Sequence, residues 1–177
     1  VQDLWPENIE IVTGIHSPLV LRPIERMVRS IYRRCDRIFA ASPSFVEMIR
    51  VRMAEGREKV SYWPQYAEEF YRPGAEKSVL IPADGRFKIA FTGNVGQAQG
   101  LDILPETASR LKADGVPAAF VIVGDGRSKA ALEEQIRQCG VEDMFVMIPR
   151  QSAESIPGLL AACDAAFVSF MNNPLFA

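Results

Sequence analysis

The stretch that decides the fold is FKIAFTGNVGQAQG, residues 87–100, in which an apolar run leads into a turn with three glycines. The run Phe87–Thr92 predicts a buried β-strand, and a helix is predicted to follow it at 100–113. A helix that opens after such a turn offers free N–H groups and a positive dipole end, which suit a diphosphate. In open parallel sheets, ligands bind at this end of the strands. The turn is therefore the first candidate ligand site, against the alternative that its glycines only pack helix on strand.

The same alternation of segments continues towards the carboxyl end. It comprises three further strands and two helices, predicted at 118–123, 144–148 and 164–170 and at 128–139 and 154–162. Continuously apolar strands that alternate with helices are typical of a parallel sheet covered on both faces. We therefore predict an α/β fold, a Rossmann-like parallel sheet with helices on both faces, in which the 87–92 strand lies centrally.

A second glycine turn, Gly124–Arg127 (GDGR), follows the strand predicted at 118–123. Its two glycines again stand at the carboxyl end of a strand. With Lys129 it comes close to a dinucleotide-binding fingerprint, but the third glycine is missing and the turn follows the second strand rather than the first. Taken alone, this turn is weak evidence of a ligand site. The evidence is stronger because the first glycine turn lies beside it in the predicted sheet.

The amino-terminal part predicts a second α/β unit. Helices are predicted at 18–34 and 42–55, and short strands at 36–41 and 59–63. Residues 64–86 then show neither the helical nor the strand period and contain three prolines and two glycines. We predict the latter part of a first domain at 1–70, a linker at 71–86 and a second domain at 87–177.

Composition sets outer limits on function. The 177 residues are 48% apolar and 24% charged, and the net charge of -2 gives no reason to expect a nucleic-acid partner. Cys35, Cys139 and Cys163 are odd in number and widely spaced, so we expect reduced core thiols rather than disulfides or a metal site. No apolar run is long enough to predict a spanning helix. The chain begins at Val1 rather than at Met, and we take it for a fragment of a longer protein.

The motifs, taken in order, resemble one known family. FTGNVGQAQGLDIL, VIVGDGRSKAALEE and IPRQSAESIPGLLAACDAAFVS resemble the carboxyl-terminal domain of retaining glycosyltransferases of family 4, in particular those of bacterial exopolysaccharide and O-antigen synthesis. DLWPE, CDRIFAASPSF and VSYWPQYAEEFYRP resemble the later part of the amino-terminal domain and the interdomain crossing. The resemblance runs over nearly the whole chain, and the order and spacing of the motifs make it specific.

The resemblance implies the GT-B fold, with the donor bound in the second domain and the acceptor in the first. It implies transfer from a nucleoside-diphosphate sugar, which we expect to be UDP-linked, to a saccharide or lipid-linked acceptor, with retention and without metal or further cofactor. We expect this reaction in the cytoplasm, up to the inner face of the plasma membrane. The residues that would contact the donor phosphates are Gly93, Asn94, Gly96, Gln97 and Gln99. Those that would contact the base and ribose are Gly124, Asp125, Gly126, Arg127, Arg150 and Gln151.

Two features depart from the family pattern. Many members carry Arg and Lys in the phosphate turn, where cations neutralise the leaving diphosphate, whereas this chain has Asn94 and Gln99 at the matching places. The Glu-containing segment that grips the donor sugar is expected after Ala177. The chain taken by itself is therefore expected to bind nucleotide weakly and to lack transferase activity.

The catalytic residues are not assigned by the sequence. Many relatives place a His just before an Asp beside the acceptor, and Gln2-Asp3 occupies that place here. His16 is the only histidine and lies in a loop before a predicted helix. It is a candidate catalytic residue, although a surface or capping role is the default for such a His.

Arginines recur on one face of the 18–34 helix, at Arg22, Arg26, Arg29 and Arg33. Between residues 14 and 54, eight Arg and three acidic residues give 8 − 3 = +5. A solvated helix face is the plain explanation. The alternative is peripheral contact with anionic lipid head groups or with a lipid-diphosphate acceptor. The pairs Trp5-Pro6 and Trp63-Pro64 are expected to pack in a core.

Three other functions compete with transfer. A sugar-nucleotide 2-epimerase shares the fold but needs carboxylate and His groups that the sequence does not show. A non-catalytic nucleotide-binding module is favoured by the missing phosphate-site cations. A Rossmann oxidoreductase is disfavoured, because no acidic residue closes the first strand–turn–helix unit about 20 residues on.

Overall fold

The chain divides into two units, residues 1–67 and 68–177, in a computed structural model. The structure describes residues 1–171, apart from the side chains of Ile11 and Val12. The last six residues of the predicted second domain, 172–177, lie outside the described residues. Of the helices within the described part, none combines the length and the apolar character that crossing a bilayer requires.

The first unit pairs two short parallel strands with three helices. In chain order these are α1 (Glu7–Thr13), α2 (Pro18–Arg34), β1 (Ile38–Ala40), α3 (Pro43–Arg52) and β2 (Val60–Tyr62). Helix α3 begins where Ser42 and Pro43 predicted, because the Ser42 hydroxyl accepts a hydrogen bond from the Phe45 N–H at 3.2 Å. Helix α1 was not predicted, and both strands are shorter than their apolar runs.

The core of the first unit leaves both tryptophans outside. It contains Leu4, Val28, Tyr32, Ile38, Ala40, Val46, Ile49, Met53 and Val60. Trp5 and Trp63 are 46% and 63% exposed, so the expectation that they pack in a core is wrong. Trp63 follows the end of β2 and lies edge-on to Phe39, itself half exposed, with ring centroids 5.2 Å apart.

The second unit is a parallel four-stranded sheet with the predicted alternation. Its elements are β3 (Phe87–Asn94), α4 (Ile103–Ala113), β4 (Ala118–Asp125), α5 (Lys129–Cys139), β5 (Phe145–Ile148), α6 (Ile156–Ala161) and β6 (Ala165–Ala166). The strand order is β5-β4-β3-β6 and every pair is parallel. The parallel arrangement and the central position of β3 are therefore confirmed.

Strand β4 shows why the sheet needs helices on both faces. All of its first seven residues are buried. Phe120 and Ile122 join a core with α4 and α5, whereas Val121 and Val123 join a separate core with Leu159 of α6. Because successive strand residues point to opposite faces, a continuously apolar strand must be covered twice. The predicted α/β fold is confirmed.

The last predicted strand is much shorter than expected. Strand β6 covers only Ala165–Ala166 of the predicted 164–170. The chain then leaves the sheet, because the Ser169 hydroxyl donates to the Gln99 carbonyl and the Met171 N–H donates to the Ala98 carbonyl at 2.8 Å. The Phe167 N–H still donates to the Ala90 carbonyl of β3 at 2.7 Å, and residues 168–171 then run beside the glycine turn, with Val168 and Phe170 exposed.

The segment predicted as a linker packs on the second unit. Ile81 is buried in the same core as α6, and the Ser78 N–H donates to the Gly158 carbonyl at 2.9 Å. A Cβ at Gly158 would lie 2.7 Å from the Glu76 carbonyl oxygen, so only glycine admits this close approach. The role of the first unit as the acceptor side remains a prediction.

Charged residues close the amino end of the sheet. The buried Lys88 ammonium donates to Asp84 Oδ1 at 2.9 Å and to the Arg86 carbonyl at 3.2 Å. Hydrogen bonds from the Arg86 and Lys88 side chains hold the pKa of Asp84 well below its usual range. These groups stand at the end of β3 opposite the glycine turn and serve the fold rather than a ligand at that turn.

Candidate functional site

The carboxyl ends of β3 and β4 carry the predicted site. Both strands run two residues further than predicted, so Gly93 pairs with Gly124 and Asn94 with Asp125. Gly93, Asn94, Gly124 and Asp125 are therefore strand residues rather than turn residues. The Val95 N–H then donates to the Asp125 carbonyl at 2.8 Å, which holds the two strand ends together.

Two of the glycines are required by packing. Gly124 has φ +146°, and a Cβ there would overlap the Gly93 carbonyl oxygen. A Cβ at Gly126 would overlap the Val95 carbonyl oxygen. Gly96 differs, because the atoms nearest to its Cβ would all belong to side chains, with Asn94 Nδ2 at 2.7 Å and Gln99 Oε1 at 2.9 Å. Packing alone therefore explains why glycine stands at 124 and 126. At Gly96 a larger residue could fit if the flexible side chains of Asn94 and Gln99 moved aside.

A cavity of about 490 Å³ lies at these strand ends. Its lining residues are Tyr71, Thr92, Gly93, Asn94, Val123, Asp125, Arg150, Gln151, Ala153 and Ile156. The volume is in the range of small-molecule sites, and the lining mixes apolar walls with a few polar groups, as such sites do. Five predicted site residues therefore meet in one cavity, although they come from the ends of three strands.

The rest of the predicted phosphate turn faces elsewhere. Gly96 and Gln97 line a second cavity of about 370 Å³, together with Leu101 and Asp102 just before α4 and with residues of α5. Gln99 lines neither of these two cavities, and its buried Oε1 has no hydrogen-bond partner within residues 1–171. The predicted turn is thus divided, and the first cavity receives only Gly93 and Asn94 from it.

The charges at the first cavity are one carboxylate and one guanidinium. Asp125 Oδ1 accepts a hydrogen bond from the Gly126 N–H at 2.8 Å. Among the described residues that line the cavity, Arg150 is the one cation, and it is exposed. Gln151 is half-buried and donates to the Pro149 carbonyl at 3.0 Å. Arg127, predicted beside the base, is exposed and lines neither cavity.

Sequence reasoning missed part of the lining. Tyr71 belongs to the predicted linker, yet this residue lines the cavity and is 41% exposed. It lies beside Phe70, with ring centroids 4.9 Å apart and planes tilted by 40°. Ala153 and Ile156, around the start of α6, were missed as well. The aromatic pair in EEFYRP was the available signal, but nothing local shows that the segment folds onto the sheet.

His16 lies on the surface of the first unit. Its side chain is 76% exposed, and Nδ1 lies 3.3 Å from Glu10 Oε1. Within residues 1–171, no three His, Cys, Asp or Glu side chains stand close enough to hold a metal ion. Cys139 is exposed, so the expectation of a core thiol is wrong there, whereas burial raises the pKa of the half-buried Cys163.

The fold and the cavity define a Rossmann-like α/β domain with a candidate ligand site at the carboxyl edge of its sheet. Residues 75–175 match the family described as glycosyl transferases group 1. The chain belongs to this family. It is 30% identical to a probable glycosyltransferase of Pseudomonas aeruginosa, WbjE, over 96% of this chain and 43% of that protein.

Two other similarities concern the sequence and the fold. WcaI of Escherichia coli K12, a putative colanic acid biosynthesis glycosyl transferase, is 39% identical over 53% of this chain and 22% of its own length. The structure of Anabaena Alr3699/HepE in complex with UDP-glucose aligns with a TM-score of 0.64 and 17% identity, over 88% of this chain and 43% of that one. The chain spans less than half the length of these relatives.

Proposed function

We propose that the chain is the donor-binding part of a retaining glycosyltransferase of family 4 that acts in bacterial surface polysaccharide synthesis. The acceptor would be a saccharide or a lipid-linked saccharide. The observation that carries the proposal is the cavity that joins Gly93, Asn94, Asp125 and Arg150 inside the segment matched to the family. The name of the Escherichia coli relative, which refers to colanic acid biosynthesis, supports the polysaccharide part.

The proposed donor is a UDP-linked sugar. The related fold of Anabaena HepE was solved with UDP-glucose and that of a TarM mutant with UDP, which supports this choice. The diphosphate would lie against Gly93 and Asn94, and the base and ribose between Asp125 and the Arg150-Gln151 pair. We propose that no metal or further cofactor takes part.

Departure of the nucleoside diphosphate is the step that this unit would assist. Negative charge develops on the leaving phosphate, and donors fixed in advance stabilise that charge without reorganisation. The dipole of the strand–turn–helix unit after Gly93 would supply positive potential at the diphosphate, and the Arg150 guanidinium would add to it from the nucleoside side of the cavity. The acceptor would attack the anomeric carbon from the face that the diphosphate leaves, which gives retention. We place the reaction in the cytoplasm, up to the inner face of the plasma membrane.

A second candidate is a nucleotide-binding module without catalysis. The observation that favours it is the composition of the glycine turn, where Asn94 and Gln99 replace cations. Such a module would bind UDP yet contribute nothing to transfer. An epimerase is less well supported, since His16, the one histidine of the chain, is on the surface of the first unit.

Calorimetric titration with UDP, GDP and NAD tests the binding part of the proposal. We expect UDP to bind and GDP and NAD to bind at least tenfold more weakly, a difference of about 1.4 kcal/mol. Preference for NAD would overturn the proposed class, and preference for GDP would overturn the assignment of the base. Transfer from radiolabelled UDP-sugars by the full-length enzyme, abolished by Arg150→Ala, would distinguish the enzyme from the module.

Tyr71 is predicted to form the aromatic wall of the nucleotide site. Stacking of a base on an aromatic ring contributes about 1–3 kcal/mol, so Tyr71→Ala should weaken UDP binding roughly tenfold. Tyr71→Phe keeps the ring and should bind like wild type. Tyr66→Ala is the matched control, because that ring is 81% exposed and belongs to the first unit. Equal affinity of Tyr71→Ala and wild type would show that the ring does not contact the base.

A further inference from the structure

The segment that follows β6 crosses the end of the glycine turn. The Ser169 hydroxyl donates to the Gln99 carbonyl, and the Met171 N–H donates to the Ala98 carbonyl at 2.8 Å. The segment also lies against Gly100, because a Cβ there would be 3.2 Å from the Met171 nitrogen. Two consecutive carbonyls of the turn are therefore fixed by a distant part of the chain.

The turn itself is held weakly at this end. The hydrogen bond from the Gln99 N–H to the Gly96 carbonyl is 3.3 Å long, beyond the usual range of about 2.7–3.2 Å. Asp102, which precedes α4, provides no side-chain cap to that helix. The glycines make the turn conformationally permissive. Hydrogen bonds from outside the turn are therefore needed to fix its conformation.

Gln99 connects this contact to the first cavity. The atoms nearest to a Cβ at Gly96 would be Asn94 Nδ2 and Gln99 Oε1, so both amide side chains lie over the same side of Gly96. Asn94 lines the first cavity, and the buried Gln99 Oε1 has no hydrogen-bond partner within residues 1–171. A shift of the Gln99 backbone would therefore move a buried amide next to Asn94.

We propose that Ser169 is a positioning residue for the donor. By fixing the Gln99 carbonyl, Ser169 holds the Gln99 side chain beside Asn94 and keeps Asn94 in place for the diphosphate. Groups that are ordered in advance bind more tightly, because binding does not have to order them. Ser169 lines neither of the two cavities, so it acts through Gln99. This inference rests on the proposed function, which places the diphosphate against Asn94.

Calorimetric titration of the full-length protein with UDP and with uridine tests this role. Ser169→Ala removes one neutral hydrogen bond, and the apparent dissociation constant rises as the fraction of molecules in the binding conformation falls. We expect Ser169→Ala to weaken UDP binding about fivefold. Ser169→Thr keeps a hydroxyl and should bind UDP like wild type. The affinity for uridine, which carries no phosphate, should not change in either variant.

The matched control is Ser109→Ala. It removes another half-buried serine hydroxyl that donates to a backbone carbonyl, that of Pro105 at 3.2 Å within α4. This variant should bind UDP like wild type. In a chain that already carries Gln99→Ala, the substitution Ser169→Ala should have no further effect on UDP affinity, because the side chain that transmits the effect is absent.

Five results would overturn the positioning role. They are unchanged UDP affinity in Ser169→Ala, an equal loss of uridine affinity, an equal loss in Ser109→Ala, no recovery in Ser169→Thr, and a full effect of Ser169→Ala in the Gln99→Ala chain. Wild type that failed to bind UDP would instead overturn the proposed function, so the two failures are distinguishable. Circular dichroism of each variant separates lost positioning from lost fold.

Discussion

Gly124→Ala is expected to weaken UDP binding strongly and to destabilise the second unit. A Cβ at Gly124 would overlap the Gly93 carbonyl oxygen, in the pair that closes the ends of β3 and β4. The backbone also has φ +146°, which L side chains rarely adopt. Clash and strain together should lower the free energy of unfolding by about 3 kcal/mol. Moving either strand end shifts Asn94 and Asp125, so the affinity for UDP should fall by at least about 100-fold, or 2.7 kcal/mol.

Gly115→Ala provides the control for backbone strain. Gly115 has φ +68°, and a Cβ there would meet nothing within 4 Å, so this substitution carries strain without a clash. It should cost about 1 kcal/mol of stability and leave UDP affinity unchanged. Urea unfolding and calorimetric titration measure the two effects separately. If Gly124→Ala bound UDP as well as Gly115→Ala does, the paired strand ends would not form the donor site.

The sheet could be predicted because its signals are local. All residues of the apolar run 118–123 are buried, and so are Ala90 and Phe91 of the run 87–92, so apolar character predicted most of the burial in these strands. The glycines that follow mark the region where each strand ends. The extension of both strands by two residues could not be predicted from the local sequence. Gly93 and Asn94 have turn-forming character, and they stay extended because Gly124 and Asp125 pair with them from a distant part of the chain. Pairing between strands overrides local preference in such cases.

The composition of the cavity shows a second limit. Tyr71 reaches the site because its segment is fixed to α6 by the Ser78–Gly158 hydrogen bond and by burial of Ile81. Neither contact leaves a periodic pattern in residues 71–86, which contain prolines and glycines and therefore predict a linker. The predicted strand at 164–170 failed for the same kind of reason, since Met171 bonds to Ala98 rather than to a strand. Contacts between residues far apart in the sequence therefore determine the structure of both segments.

The division of the glycine turn between two cavities raises the question of which one holds the diphosphate. Asn94 lines the first cavity, and Gln97, only three positions further along the chain, lines the second. Asn94→Asp and Gln97→Glu each replace an amide by a carboxylate of nearly the same shape. Each variant therefore adds the same negative charge to a different cavity. Neither side chain lies in a hydrophobic core, so the fold should survive both substitutions, which circular dichroism can verify.

Asn94→Asp is expected to weaken UDP binding by about 100-fold. Two unit charges about 4 Å apart near a protein surface repel by about 4 kcal/mol, of which salt screening leaves a large part at this distance. Gln97→Glu should change the affinity by less than about threefold, because its charge faces the second cavity, where solvent and salt screen it from the first. The loss in Asn94→Asp should shrink as salt is added, and it should be absent for uridine, which carries no phosphate. The opposite ranking of the two variants would place the diphosphate in the second cavity, and equal losses would show that the donor spans both.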